Sequence, residues 1–182
     1  MVNMSELKLT MLQQAILRLV FIKAGTAINQ RAVARLLGVS APAVMKALPR
    51  LERHDFINIT RDKESKRLAI ELNRDNHRVM QLKRVDNLKQ IYESGLSDFL
   101  EKEFAGGTLV VFGSYSRGDD TERSDLDLAI IGRKEKAINL SNYEKALERK
   151  INFNFYESWK TIHKNLKENL CNGMVLAGGV EL

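Results

Sequence analysis

Asp125 and Asp127 are separated by one apolar residue, Leu126, and lead into the apolar run Leu128 to Ile131. In an extended strand, residues i and i+2 point to the same face. The spacing therefore predicts two carboxylates side by side. Adjacent carboxylates repel each other, and a hard divalent cation such as Mg2+ relieves that repulsion through oxygen ligands. Upstream, Gly113 and Ser114 follow a second apolar run, Thr108 to Phe112. A glycine at a turn lets backbone N–H groups come close to a phosphate, and the Ser114 hydroxyl adds a donor. Arg117 brings positive charge nearby. A phosphate cradle, a metal-binding pair and a cation are the parts that phosphoryl or nucleotidyl transfer uses.

The elements around these residues can be read from periodicity. Residues 108–112 and the stretch containing Asp125 and Asp127 read as buried strands. A charged loop follows from Gly132. Ser141 is placed to cap a helix reaching about Arg149, and Ile151 to Phe155 alternates as a third strand with Asn152 and Asn154. Ser158 is placed to cap a last helix to about Asn169, and Met174 to Ala177 reads as a short final strand before Gly178 and Gly179. This order predicts a small mixed sheet.

The N-terminal part differs in charge. The formal net charge is +6, and residues 1–72 carry all of the excess, with 12 Lys and Arg against 6 Asp and Glu. Such asymmetry points to a polyanion partner. Leu9 to Ala24 and Gln30 to Leu37 have helical periods, and Gly38-Val39-Ser40 makes a tight turn. Ser40 is a good N-cap for a third helix to about His54, with Pro42 in its first turn and Pro49 as an expected kink. Val44, Met45, Leu48 and Leu51 are its expected apolar face; Ala43, Lys46, Ala47, Arg50 and Arg53 are expected outside. Residues 56–60 and 67–72 alternate as strands around a polar turn. Three helices followed by a hairpin give the order of a winged helix-turn-helix, whose third helix would enter the major groove of duplex DNA. Lys46, Arg50 and Arg53 on that helix, with Arg61, Lys63, Lys66 and Arg67 on the wing, are the expected DNA contacts. Most would hold phosphates, with Lys46 the candidate for reading a base.

Between these parts, Asn73 to about Phe104 reads as helix, interrupted at Gly95 and broken at Ala105-Gly106-Gly107. Val79, Leu82, Val85, Leu88, Ile91 and Tyr92 recur at helical spacing. This gives a domain division of 1–72, 73–106 as a helical connector, and 107–182, with the connector also offering a surface for a homodimer. No apolar run approaches the roughly 20 residues that span a bilayer. Cys171 is the only cysteine, which rules out a disulfide within the chain and a cysteine metal cluster; a buried, inert thiol is expected. His54, His77 and His163 match no metal-ligand spacing. A cytoplasmic protein without a membrane segment is expected.

The segment Phe112-Gly113-Ser114, with Asp125-Leu126-Asp127-Leu128 after a gap of about ten residues, resembles the signature of the DNA polymerase beta-like nucleotidyltransferase superfamily. The details Gly-Ser-x-x-Arg-Gly and Ser-Asp-Leu-Asp are similar to its minimal nucleotidyltransferase (MNT) subgroup. Arg31 to Ser40 looks like the helix-turn part of winged helix DNA-binding domains. The combination resembles archaeal regulators of winged helix plus MNT type.

The resemblance implies an α+β chain: an N-terminal winged helix-turn-helix, a helical connector and a small polymerase beta-like domain with a mixed sheet. It implies Mg2+ held by Asp125 and Asp127, and ATP or another nucleoside triphosphate held by Gly113, Ser114, Arg117 and Ser124. Active relatives carry a third carboxylate on the next strand. Here that strand offers Asn152 or Asn154; Asn152 is the assigned third metal ligand, and asparagine can ligate through oxygen but cannot act as a base. Three functions stand open. One is a DNA-binding regulator whose second domain binds Mg–NTP, with AMP transfer to a hydroxyl as its chemistry. Another is an antitoxin-type adenylyltransferase acting on a HEPN-type partner protein. The third is an RNA-directed nucleotidyltransferase.

Overall fold

The computed structural model describes residues 8–61 and 67–181. They form two compact units, 1–79 and 80–182.

In the first unit, α1 (Met11–Ile22) is followed by β1 (Ile28–Asn29), α2 (Gln30–Leu37), α3 (Ala41–Arg53), β2 (Ile57–Arg61) and β3 (Leu68–Leu72). The three strands form an antiparallel sheet in the order β1-β3-β2. Local chemistry sets the helix boundaries. Thr10 and Gln13 close a capping box on α1, the Asn29 side chain accepts from Ala32 N–H, and Ser40 accepts from Ala43 N–H. Each satisfies a donor that a helix start otherwise leaves open. Gly38 ends α2 in the left-handed region, where a side chain is costly.

Ile16, Val20, Val33, Val44, Leu48, Leu51, Phe56, Ile57, Ile70 and Leu72 fill the core, each burial contributing about 2 kcal/mol. This is the winged helix-turn-helix topology, with β2 and β3 as the wing. Two expected faces of α3 need correction. Ala47 is buried, and its carbonyl accepts from Gln13 Nε2 at 3.2 Å; Met45 is 40% exposed. Gln13 ties α1 to α3 through that carbonyl. Helix α3 continues through Pro49, which lies on the exposed face, so the Met45 carbonyl that loses its helical donor can be solvated.

Helix α4 (His77–Glu93) begins in the first unit and runs on in the second. There it is followed by α5 (Leu96–Glu103), β4 (Thr108–Phe112), α6 (Gly113–Arg117), β5 (Leu126–Ile131), α7 (Ser141–Leu147), β6 (Ile151–Tyr156), a short 3-10 turn, α8 (Lys164–Cys171) and β7 (Met174–Ala177). The sheet order is β6-β5-β4-β7; β5 and β6 are parallel, and β4 is antiparallel to both β5 and β7.

Strand alternation divides the core between two faces. Leu109, Val111, Leu126, Leu128 and Ile130 pack with Ile91, Leu96, Leu100, Phe104 and Tyr115 on one face. On the other, Val110, Phe112, Ala129 and Ile131 pack with Trp159, Ile162 and Leu170. The stretch expected as a connector is therefore split. Residues 73–79 lie in the first unit, while the later part of α4 and all of α5 supply core residues to the second.

The apolar stripe expected on α4 is its buried face only in part: Val79 and Ile91 are fully buried and Leu82 and Leu88 half-buried. Val85 and Tyr92 are 66% and 50% exposed, whereas Lys83 is fully buried and Asn87 nearly so. Burial here follows polar partners, described below. Two expected caps also fail. Ser141 bonds to Asn139 Oδ1 instead of capping α7, and α8 starts only at Lys164, after the 3-10 turn at Trp159–Thr161. Cys171, expected to be buried, is exposed.

Candidate nucleotide site

Strand β4 delivers the chain to Gly113, whose φ is +73°. A Cβ built there would stand 2.9 Å from Asp127 Oδ2. Glycine is needed both for the backbone conformation and for the room that Asp127 takes. Residues 113–117, read from sequence as a turn, form the helix α6, with Ser114 half-buried in its first turn.

Asp127 pairs in register with Phe112 on β4 and with Asn152 on β6. Asp127 and Asn152 thus lie on neighbouring strands at the same level. Asn152 Nδ2 donates to Asp125 Oδ2 at 3.0 Å and reaches Asp127 Oδ1 at 3.4 Å. One amide nitrogen bridges both carboxylates. Asn152 meets the pair, while Asn154 lies one pleat repeat further along, in register with Ala129.

Asp125 and Asn152 are exposed and Asp127 half-buried, so the site is open to solvent. Among the described residues no group of three or more His, Cys, Asp and Glu is placed to hold a metal ion. Glu157 lies beyond the far end of β6, about 16 Å along the strand from Asn152, and supplies no third carboxylate. The donor set nonetheless suits a hard cation. Two carboxylates already converge, and turning the Asn152 amide over would replace its NH2 by a carbonyl oxygen.

The other expected phosphate ligands are already engaged. Arg117 Nε pairs with Asp119 Oδ2 at 3.2 Å on the surface. The Ser124 hydroxyl accepts from Thr121 N–H at 2.9 Å and closes the turn before Asp125. On the winged helix, Lys46, Arg50 and Arg53 are exposed at helical spacing on α3, and Arg61 and Arg67 are exposed at the ends of the wing strands. Lys63 and Lys66 lie outside the described residues.

Between Gly113 and Asp125 in the chain, Asp120 belongs to a buried cluster that sequence reasoning missed. Asp120 is fully buried; its Oδ1 accepts from Lys83 Nζ and, at 2.7 Å, from Asn87 Nδ2, and its Oδ2 accepts from Arg149 at 3.4 Å. Burial pushes the Lys83 ammonium below its ordinary value, the Asp120 charge offsets part of that, and Arg149 adds to the lowering. The available signal was the i, i+4 series Val79, Lys83, Asn87 and Ile91. An apolar count discards it because its middle members are polar.

No single helix among the described residues is long and apolar enough to cross a membrane. Residues 93–171 match the family model described as a nucleotidyltransferase domain. No curated protein matches the chain. Several solved structures resemble part of it. Lactococcus lactis ZitR (E41A mutant) is 22% identical, covering 56% of this chain and 66% of that chain, with a TM-score of 0.41. The adhesin competence repressor AdcR of Streptococcus pyogenes is 22% identical over 57% of this chain and 72% of its own, with a TM-score of 0.43. The S. aureus MepR–DNA complex is 22% identical over 52% and 81%, with a TM-score of 0.38. This chain spans just under two thirds of the ZitR chain, and likenesses this partial carry no argument about what it binds. The chain thus joins a first unit with the element order of a winged helix-turn-helix to a segment, residues 93–171, that matches the nucleotidyltransferase domain model.

Proposed function

We propose that the protein is a DNA-binding regulator whose second unit binds a magnesium–nucleoside triphosphate complex, with ATP the first candidate. The observation that carries the nucleotide half is the convergence of Asp125 and Asp127 on one Asn152 nitrogen beside Gly113. Asp125, Asp127 and the Asn152 carbonyl oxygen would hold Mg2+, which neutralises phosphate charge when bound. Gly113 leaves space for the chain to approach a phosphate, Ser114 offers its hydroxyl, and Arg117 can exchange its surface partner Asp119 for a phosphate oxygen.

The DNA half rests on charge. Lys46, Arg50 and Arg53 recur at i, i+4 and i+7, so they share one exposed face of α3. Two copies of the chain would read two half-sites of duplex DNA.

The family match favours a second reading, in which the domain also transfers AMP. The acceptor hydroxyl oxygen would bond to the α-phosphorus, the bond from that phosphorus to the bridging oxygen would break, and pyrophosphate would leave. With asparagine at 152, the hydroxyl proton passes to solvent and not to a third carboxylate. A partner protein, HEPN-type toxins included, could offer that hydroxyl.

Calorimetric titration of Mg–ATP separates binding from its absence. Incubation with labelled ATP and proteins encoded beside this one separates binding from transfer. A labelled acceptor would establish the transfer reading. Binding without any labelled product would leave the sensor reading alone in place.

A further inference from the structure

The segment from Gly113 to Asp125 carries every residue proposed to touch phosphate and one of the metal pair. Its floor is α4. Gly118, at φ +82°, lies so close to α4 that an added Cβ would stand 2.6 Å from the Met80 carbonyl oxygen and 2.9 Å from Arg84 N. One turn further along α4, Asn87 Nδ2 donates to the Tyr115 carbonyl at 2.9 Å and to Asp120 Oδ1 at 2.7 Å. The Tyr115 hydroxyl returns a bond to the Asn87 carbonyl at 3.3 Å. Lys83 Nζ also donates to Asp120, and Arg149 approaches the second carboxylate oxygen from the end of α7.

These bonds fix the segment at residue 115, two after Gly113, and at residue 120, five before Asp125. The turn closed by Ser124 and Thr121 spans what is left. An apolar side chain at 83 or 87 would cover the same sheet face, but it would hold neither end.

We propose that Lys83, Asn87 and Asp120, with Arg149, are positioning residues that set the Gly113–Ser114 turn and Asp125 in the geometry that receives a triphosphate. The inference rests on the nucleotide-site reading for its purpose, but the geometric restraint can be measured without any nucleotide. A side chain that only added stability would, on removal, speed exchange of the slowest amides of β4 and β5. It would leave the amides of residues 113–125 unmoved.

The test is hydrogen exchange on the full chain, for the wild type, Lys83→Met and Asn87→Ala, together with Mg–ATP titration of each. Asn87→Ala leaves the buried charges paired, so it tests the proposal even if Lys83→Met fails to fold. The expected result is exchange faster by roughly tenfold across residues 113–125, with Mg–ATP affinity weaker by about the same factor. Unchanged exchange in that segment would overturn the proposal, as would faster exchange with unchanged affinity. If the wild type binds no nucleotide, the proposed function falls, and the exchange result alone decides whether the network restrains the segment.

Discussion

Asp127 lies against Gly113, with its Oδ2 2.9 Å from where a Gly113 side chain would begin. One residue thereby depends on the other having no side chain. The backbone of Gly113 is also left-handed, so any L side chain there meets both strain and collision.

Gly113→Ala should cost about 1–2 kcal/mol from backbone conformation alone and should push Asp127 out of line with Asn152. Thermal melts measure the first effect. Weakened Mg2+ binding, out of proportion to the drop in stability, measures the second.

Asn152→Asp should act in opposite directions with and without metal. Without Mg2+, a third carboxylate replaces an amide that donates to the other two, and the melting temperature should fall. With Mg2+, three carboxylates face the cation and affinity should rise. Melts at increasing Mg2+ concentration should cross those of the wild type.

Lys83 gives a prediction about pH. Its folded-state proton affinity is lowered by burial from an ordinary value of 10.5. Between the lowered value and 10.5, the unfolded chain binds more protons than the folded one, so this group makes stability rise with pH in that window. Below the lowered value both states are protonated and the burial cost is present in full. The wild type should therefore gain stability relative to Lys83→Met as pH rises toward 10.5. Parallel melts of the two proteins over that range check the sign.

For the first unit, Lys46→Ala, Arg50→Ala and Arg53→Ala should each weaken duplex DNA binding. Removing a cation that neutralises one phosphate makes the negative slope of log affinity against log salt shallower by about 0.9. Removing a side chain that reads a base instead changes which sequences bind, with little change in slope. Lys46 is expected to behave in the second way, and Arg50 and Arg53 in the first.

Much of this architecture is legible in the sequence. The strand 108–112, the helix at 30–37 and the wing strands have strong local signals: alternation, a cap or a glycine stop. The i, i+2 spacing puts Asp125 and Asp127 near each other, although Asp125 lies just before β5 and the two meet through Asn152, whereas Asn152 and Asn154 are told apart only by the parallel register of β5 and β6. The polar part of the buried face of α4 is unreadable for another reason. Lys83 and Asn87 are inside because Asp120 and the Tyr115 carbonyl are there to meet them, and that pairing joins residues far apart in sequence. Ser141 and Ser158 are suitable capping types, but Asn139 and the 3-10 turn at Trp159 settle those boundaries locally.

The most direct test of the central claim is a calorimetric titration of Mg–ATP into the intact 182-residue chain and into its Asp125→Ala/Asp127→Ala variant. The account predicts saturable binding by the wild type and none by the variant, with the variant still folded. Equal binding by both proteins, or none by a folded wild type, would contradict it.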